Sequence, residues 1–397
     1  MKILVINCGS SSLKYQLFDM ETEEVMAKGL VERIGIDGSR LTQEVGDAEF
    51  ENKTEIPDHN KAVRLVFEAL TDPEHGVIAS MDEIDAVGHR VVHGGEKFTE
   101  STLVDDEVIR AIEEYTPFSP LHNPANLQGI RAAQAVLPGK PNVAVFDTAF
   151  HQTMPQVNYM YALPYELYEK YGIRRYGFHG TSHHFITLRA AELLNIPVDE
   201  LNLISCHLGN GSSVTAIKNG KSFITSMGQT PLAGVPMGTR TGDFDPAVVT
   251  FMQTALGKSA EEVDQIMNKE SGVYGISGKS SDFRDLETGA EAGDPRCRLA
   301  LDMFHARVRE AVGAYAAALG RVDAITFTGG IGENGGADRE AICSGLEIFG
   351  VKLNKEINAQ RKPKEKKISA DDSAVQVWVI PTNEELMIAR DTQRLAK

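Results

Sequence analysis

Cysteine is scarce in this chain: four in 397 residues, Cys8, Cys206, Cys297 and Cys343, scattered and without a C-x-x-C pair. That argues against both a disulfide framework and a cysteine-based zinc site. Long apolar runs are also missing. Nothing approaches the roughly 20 residues needed to span a bilayer, and the run that opens MKILVINCGSSS is too short for a signal-peptide core. Positive charge is in deficit, with 40 Lys and Arg against 56 Asp and Glu, a net charge of −16. Such a balance disfavours non-specific nucleic-acid binding and docking on anionic membranes. The expected compartment is the cytosol, and an anionic ligand would need a local cluster of arginines.

What is present is ordinary globular composition, 42% hydrophobic and 24% charged, in a length that suits two or three domains at about 150 residues each. Ile3 to Asn7 and Leu13 to Phe18 read as strands around a Gly/Ser turn, a hairpin. Helical patterns follow at Lys61 to Leu70 and Asp106 to Tyr115, and strands at Ile84 to Val92 and Val143 to Phe146. The pattern then restarts. Leu201 to Cys206 is a strand, His207-Leu-Gly-Asn-Gly-Ser-Ser213 a turn, and Val214 to Ile217 a second strand, matching strand, N-C-G-S-S-S, strand at the beginning. One α/β module is thus expected twice. A long helix is expected at Arg298 to Leu319, strands at Val322 to Thr328 and Gln376 to Ile380, and a solvated loop at Lys362 to Lys367. The last helix opens at Thr382-Asn-Glu-Glu385, where a capping box with Thr382 and Glu385 would leave Glu384 free.

A Gly/Ser turn lets backbone N–H groups converge on phosphate oxygens, so two such tips suit a phosphate clamp. Val87-Gly-His-Arg-Val-Val-His-Gly-Gly95 ends a strand in Arg90 beside a glycine turn, where a guanidinium fork can meet phosphate or carboxylate. Here the chain resembles the acetokinase family. I-N-C-G-S-S-S-L-K and G-H-R-V-V-H-G-G look like its two marker motifs. Further blocks agree in order: Pro120-Leu-His-Asn-Pro-Ala-Asn126, Val145-Phe-Asp-Thr-Ala-Phe-His151, Tyr176-Gly-Phe-His-Gly-Thr-Ser-His183, Met237-Gly-Thr-Arg-Thr-Gly-Asp243, Ser281-Asp-Phe-Arg284, Phe327-Thr-Gly-Gly-Ile-Gly-Glu-Asn334 and Thr382-Asn-Glu-Glu385.

The resemblance implies an α/β protein of two domains with duplicated ribonuclease H-like, actin-like ATPase cores around a nucleotide cleft that closes on ATP. Their expected extents are 1–150, joined by the C-terminal helix 383–397, and 151–382. It implies transfer of the ATP γ-phosphoryl group to acetate, giving acetyl phosphate and ADP, with Mg²⁺ as cofactor (Mn²⁺ able to substitute) and a homodimer. The catalytic residues implied are Arg90, His122, Asp147, His179 and Arg240. Val92, Leu121, Phe178 and Pro231 would hold the acyl group together with Arg90. Lys14, His207, Gly209, Asn210, Gly211, Asp282, Phe283, Arg284, Gly330, Ile331, Gly332 and Asn334 would bind nucleotide, and Asn7 and Glu384 the Mg²⁺ shell. The chemistry is coherent, because a carboxylate is already an ionised nucleophile and needs alignment and charge relief more than a base.

Three other patterns are set aside. Gly330-Ile-Gly-Glu-Asn-Gly335 matches a dinucleotide fingerprint, but the first strand carries N-C-G-S-S-S instead. Gly278-Lys-Ser280 lacks the first glycine of a Walker loop. His179, His183 and His184 lack the glutamate of a zinc helix, so His183 and His184 are assigned to structure.

Overall fold

The structure is a computed structural model that describes residues 1–120 and 122–397. The chain divides into two compact units, Met1–Phe150 with Asn383–Lys397, and His151–Thr382.

The first unit contains β1 (Lys2–Cys8), β2 (Ser12–Asp19), β3 (Glu24–Glu32), β4 (Arg40–Val45), β5 (Ala48–Lys53), β6 (Ala86–Val91), β7 (Thr102–Leu103) and β8 (Asn142–Phe146). They form one sheet in the order β5-β4-β3-β2-β1-β6-β8-β7. β1 is antiparallel to β2 and parallel to β6, which is parallel to β8. β1 is apolar throughout because both of its faces are covered. Leu4 and Ile6 pack with Val63, Val66 and Ala132 from the helices His59–Leu70 and Asn123–Val136, while Ile3 and Val5 pack with Ile388 and Ala389 of the helix Glu384–Ala396. Gly88 on β6 permits that last approach. A β-carbon there would overlap the Thr392 hydroxyl and lie 2.7 Å from Ile388 Cγ2.

The second unit repeats the plan with β9 (Leu203–Leu208), β10 (Ser212–Lys218), β11 (Lys221–Thr225), β12 (Ala324–Thr328), β13 (Lys366–Lys367) and β14 (Gln376–Val379), in the order β11-β10-β9-β12-β14-β13. β9 is antiparallel to β10 and parallel to β12, and β12 is parallel to β14. The run β3-β2-β1-β6-β8 therefore has the same pattern of directions as β11-β10-β9-β12-β14. Ile204, Cys206, Val214, Ile325, Phe327 and Val377 make an apolar face against Phe304, Val308 and Val312 of the helix Pro295–Leu319. All four cysteines are free and buried, and burial raises the Cys8 thiol to about 12, which leaves it an inert core group.

Two expectations fail. Thr382 does not cap the last helix. Its hydroxyl is taken by Ser182 at 2.8 Å, and Asn383 one residue later is the cap, accepting from Leu386 N at 3.1 Å. The stretch 362–367 is not all solvated loop either. Lys366 lies in β13 and is buried, with its ammonium group on the Gln360 carbonyl.

Buried His89 on β6 gives the first unit a titratable weak point. Its Nε2–H donates to Asn142 Oδ1 at 2.7 Å, and burial pulls its pKa to about 4. An unfolded histidine titrates near 6.5. Stability from the neutral ring is thus fully present above about pH 6.5 and lost as pH falls to about 4, roughly 3 kcal/mol in total. His89→Gln is expected to flatten this acid limb, as read by urea unfolding at several pH values.

Candidate active site

The parallel strands of the first unit end together, and their carboxyl ends carry its polar residues. Arg90, next to last in β6, meets Asp147, just after β8. Nε donates to Asp147 Oδ1 and Oδ2 at 3.1 and 3.2 Å, and Nη2 donates to Oδ2 at 2.7 Å. Asp147 is 1% exposed, so it is a fixed support and not a surface partner. It raises the Arg90 pKa and locks the fork's orientation. Among the described residues Arg90 Nη1 makes no hydrogen bond, leaving a donor for an anion.

Asn7, next to last in β1, lies opposite Lys14 on β2. Glu384 starts the last helix, among Arg90, Asp147, Glu385 and Lys14. Burial first, then the neighbouring carboxylates, raise its pKa to about 7, against the opposing effect of Arg90 and Lys14. Neither the Asn7 amide nor the Glu384 carboxylate takes a side-chain hydrogen bond among the described residues, so both oxygen donors are uncommitted. No group of three or more His, Cys, Asp or Glu side chains could hold a metal among those residues. A cation here would draw one or two oxygens from the protein and the rest from water and phosphate. That suits Mg²⁺, which keeps several waters.

Two asparagines of the block Pro120–Asn126, neither given a role of its own from the sequence, hold this edge together. Asn126 accepts from Val92 N at 3.1 Å and donates to Cys8 O at 2.8 Å. Asn123 accepts from His93 N and donates to His93 O and Ile112 O. Both are buried, and together they tie the first hairpin tip to the glycine turn after Arg90. Val92 is buried and His122 is exposed just before the helix Asn123–Val136. Leu121 lies outside the described residues.

In the second unit the tip Gly209–Gly211 joins β9 to β10, with Gly209 N donating to Gly211 O at 3.1 Å. A β-carbon on Gly211 would lie 2.8 Å from Arg240 Nη2, too close to stand without a shift, and 3.4 Å from His179 Nε2, an ordinary contact, so both side chains reach the tip and glycine leaves Arg240 room there. Arg240 donates to Pro231 O at 2.6 Å. No carboxylate pairs with it among the described residues, and burial lowers its pKa. A half-buried guanidinium without a counter-charge is a standing anion site.

His179 precedes the helix Gly180–Leu194 in a left-handed conformation, φ 56°. A non-glycine residue held there marks strain kept for geometry. Its ring stacks on His207 at 4.1 Å between centroids. The neighbouring Phe178 ring is buried, and its carbonyl accepts from His151 Nε2 at 2.9 Å. The segment Gly329–Asn334 follows β12 as a short helix. Arg339, buried and unmarked in the sequence, grips it by donating to Gly332 O at 2.8 Å and Glu333 O at 3.0 Å. Gly330 and Asn334 are exposed there, Ile331 is half-buried and Gly332 is buried. Asp282 caps the helix Phe283–Glu291 and pairs with exposed Arg284. Phe283 is spent in the core against Phe304, at 4.7 Å, so its ring supports the segment from behind.

The Acetokinase family profile matches residues 2–390. A Clostridium botulinum (strain Kyoto / Type A2) protein named acetate kinase is 59% identical over 395 residues, covering 100% of this chain and 99% of that one. The crystal structure of Porphyromonas gingivalis acetate kinase superposes with a TM-score of 0.96 at 48% identity, covering both chains in full. That of a propionate kinase from Francisella tularensis subsp. tularensis SCHU S4 gives 0.93 at 41% identity, covering 99% of each.

Proposed function

This chain belongs to the acetokinase family, and from that premise we propose that it transfers the γ-phosphoryl group of ATP directly to acetate, giving acetyl phosphate and ADP. As a family member it is a phosphotransferase with a carboxyl group as acceptor. The observation that carries the finer reading is Arg240, an uncompensated cation at a glycine phosphate tip and beside His179.

In this reading the second unit's tip binds ATP phosphates through backbone N–H groups at Asn210 and Gly211, with His207 beside them. Arg240 and His179 Nε2 bind the equatorial oxygens of the transferring group as charge shifts. The segments Asp282–Arg284 and Gly330–Asn334 hold the nucleoside. The first unit supplies Arg90, aimed by Asp147, to bring the acid's carboxylate against the repulsion of a second anion, with His122 in support and Lys14 on the phosphates. Asn7 and Glu384 would hold Mg²⁺, which offsets phosphate charge when bound. No side chain need form a covalent phospho-intermediate, because the carboxylate is itself the nucleophile. The reading is tested by following ADP release, which should require both the acid and a divalent cation. ADP release that ignores added acid would contradict it.

Val92, Leu121, Phe178 and Pro231 are assigned to the acyl group. One methylene in an apolar site is worth only about 1–3 kcal/mol, so propionate should be a slower substrate and not an excluded one. Val92→Ala is expected to raise kcat/KM for propionate relative to acetate roughly tenfold, measured with the two acids side by side.

We also infer a homodimer formed through the second unit. The helix Ala247–Thr254, sequence AVVTFMQT, buries none of its residues, and Val248 and Phe251 are exposed. Exposed apolar surface of this kind marks an interface. Light scattering behind size-exclusion chromatography should give twice the chain mass, and Phe251→Glu should shift it toward the monomer.

The helices of the described residues include none long and apolar enough to cross a membrane.

A further inference from the structure

The face of the second unit's sheet opposite its apolar core is lined with buried polar side chains. Thr225, Thr215, Ser205 and Thr326 lie in register across β11, β10, β9 and β12, and all four are fully buried. His183, from the helix Gly180–Leu194, is fully buried there as well. Its Nδ1 lies 2.9 Å from Ser205 Oγ and its Nε2 2.8 Å from Ser213 Oγ. The same Ser213 oxygen lies 2.9 Å from His179 Nδ1. Ser205, His183, Ser213 and His179 therefore make one hydrogen-bonded chain.

Such a chain has a direction, because each hydroxyl has one proton to give. Ser205 has one partner among the described residues, His183 Nδ1. Thr215 is paired with Thr225 at 2.8 Å, and Thr326 Oγ1 has no hydrogen-bond partner among the described residues. The Ser205 proton must go to His183 Nδ1 or be orphaned in the core, which costs about 1–3 kcal/mol. His183 then carries its proton on Nε2 and donates it to Ser213. Ser213 in turn donates to His179 Nδ1, so neutral His179 has its proton on Nε2, the atom beside Gly211 and Arg240.

We propose that Ser213 and His183 are positioning residues that, with Ser205, hold His179 as a neutral Nε2–H hydrogen-bond donor to the transferring phosphoryl group. Protonating His179 would need a proton on Nδ1. Ser213 would then have to turn toward His183, His183 would shift its own proton to Nδ1, and the Ser205 hydroxyl would lose its acceptor. Burial, with His151 and His207 close by, also keeps His183 uncharged. Among the groups that bear on His179 itself are the His207 ring, Arg240 and this chain. Its catalytic consequence rests on the carboxylate-kinase reading, whereas the tautomer does not.

The test is long-range ¹H–¹⁵N correlation on the full-length protein carrying ¹⁵N-labelled histidine, with the His179 signals assigned by their loss in His179→Gln. At about pH 7 His179 should show a protonated Nε2 and a bare, hydrogen-bonded Nδ1. Ser213→Ala should mix its tautomers and lower kcat by about tenfold, with little change in KM for ATP. His183→Gln should keep the His179 tautomer, since an amide can accept from Ser205 and donate to Ser213 in the same order. A charged or Nδ1-protonated His179 in the unmutated protein overturns the proposal, whether or not any variant folds. So does a Ser213→Ala spectrum in which the His179 signals are unchanged. The expected spectrum in a protein with no acid-dependent ATP turnover would keep the relay and remove the kinase reading.

Discussion

Replacing Arg240 with alanine is expected to lower kcat about a thousandfold, the scale of an arginine at a phosphoryl-transfer transition state, and to leave the fold at least as stable as before. Both parts follow from one feature. The Arg240 guanidinium is half-buried, bonds to the Pro231 carbonyl and has no carboxylate partner among the described residues. Burial already disfavours its charge, so removing the charge relieves the folded state. The phosphoryl group loses a donor that is strongest when charge has moved onto its equatorial oxygens. The effect should therefore fall on kcat far more than on KM for ATP. Steady-state kinetics with thermal unfolding on the same preparation would check it. A variant with near-normal turnover would remove Arg240 from the mechanism, and a large loss of stability would contradict its description as uncompensated.

Arg90→Ala is expected to abolish most turnover too, but with the opposite effect on stability. Its partner Asp147 is buried, and the variant would leave that carboxylate without a counter-charge. Breaking a buried pair from one side costs about 3 kcal/mol or more. The double replacement Arg90→Met with Asp147→Leu should recover much of that stability while staying inactive, because it removes both charges together. Comparing urea midpoints of the three proteins separates the two roles of Arg90. If Arg90→Ala were as stable as the unmutated chain, the pair would not be the structural support described. If the double variant were active, Arg90 would not be a catalytic residue.

These two arginines also show how far the sequence could be read. Arg90 stood out because it precedes a glycine turn, and the duplicated hairpins stood out because strand, Gly/Ser turn, strand occurs twice. Such features are local, and local geometry writes itself into adjacent residues. The carboxylate that aims Arg90 lies 57 positions later, and no spacing rule joins them. The same holds for Asn126 reaching Cys8 across 118 positions, and for Ser213, which joins His179 to His183 from 34 and 30 positions away. Arg339 is the extreme case, a fully buried cation satisfied mainly by backbone carbonyls, with nothing around it in the sequence to betray burial. Thr382 misled for a related reason. Its spacing from Glu385 fits a capping box, but Ser182, 200 positions away, claims the hydroxyl. Pattern reading weighs near neighbours, and here the distant one won.

A carboxylate is expected to receive the phosphoryl group, and the product would be an acyl phosphate that hydroxylamine traps as a coloured hydroxamate. The purified protein would be given ATP, Mg²⁺ and hydroxylamine with acetate, propionate or butyrate in parallel. Strong hydroxamate formation is expected, highest with acetate and lower with each added methylene. ATP binding without hydroxamate from any of the three acids would contradict it.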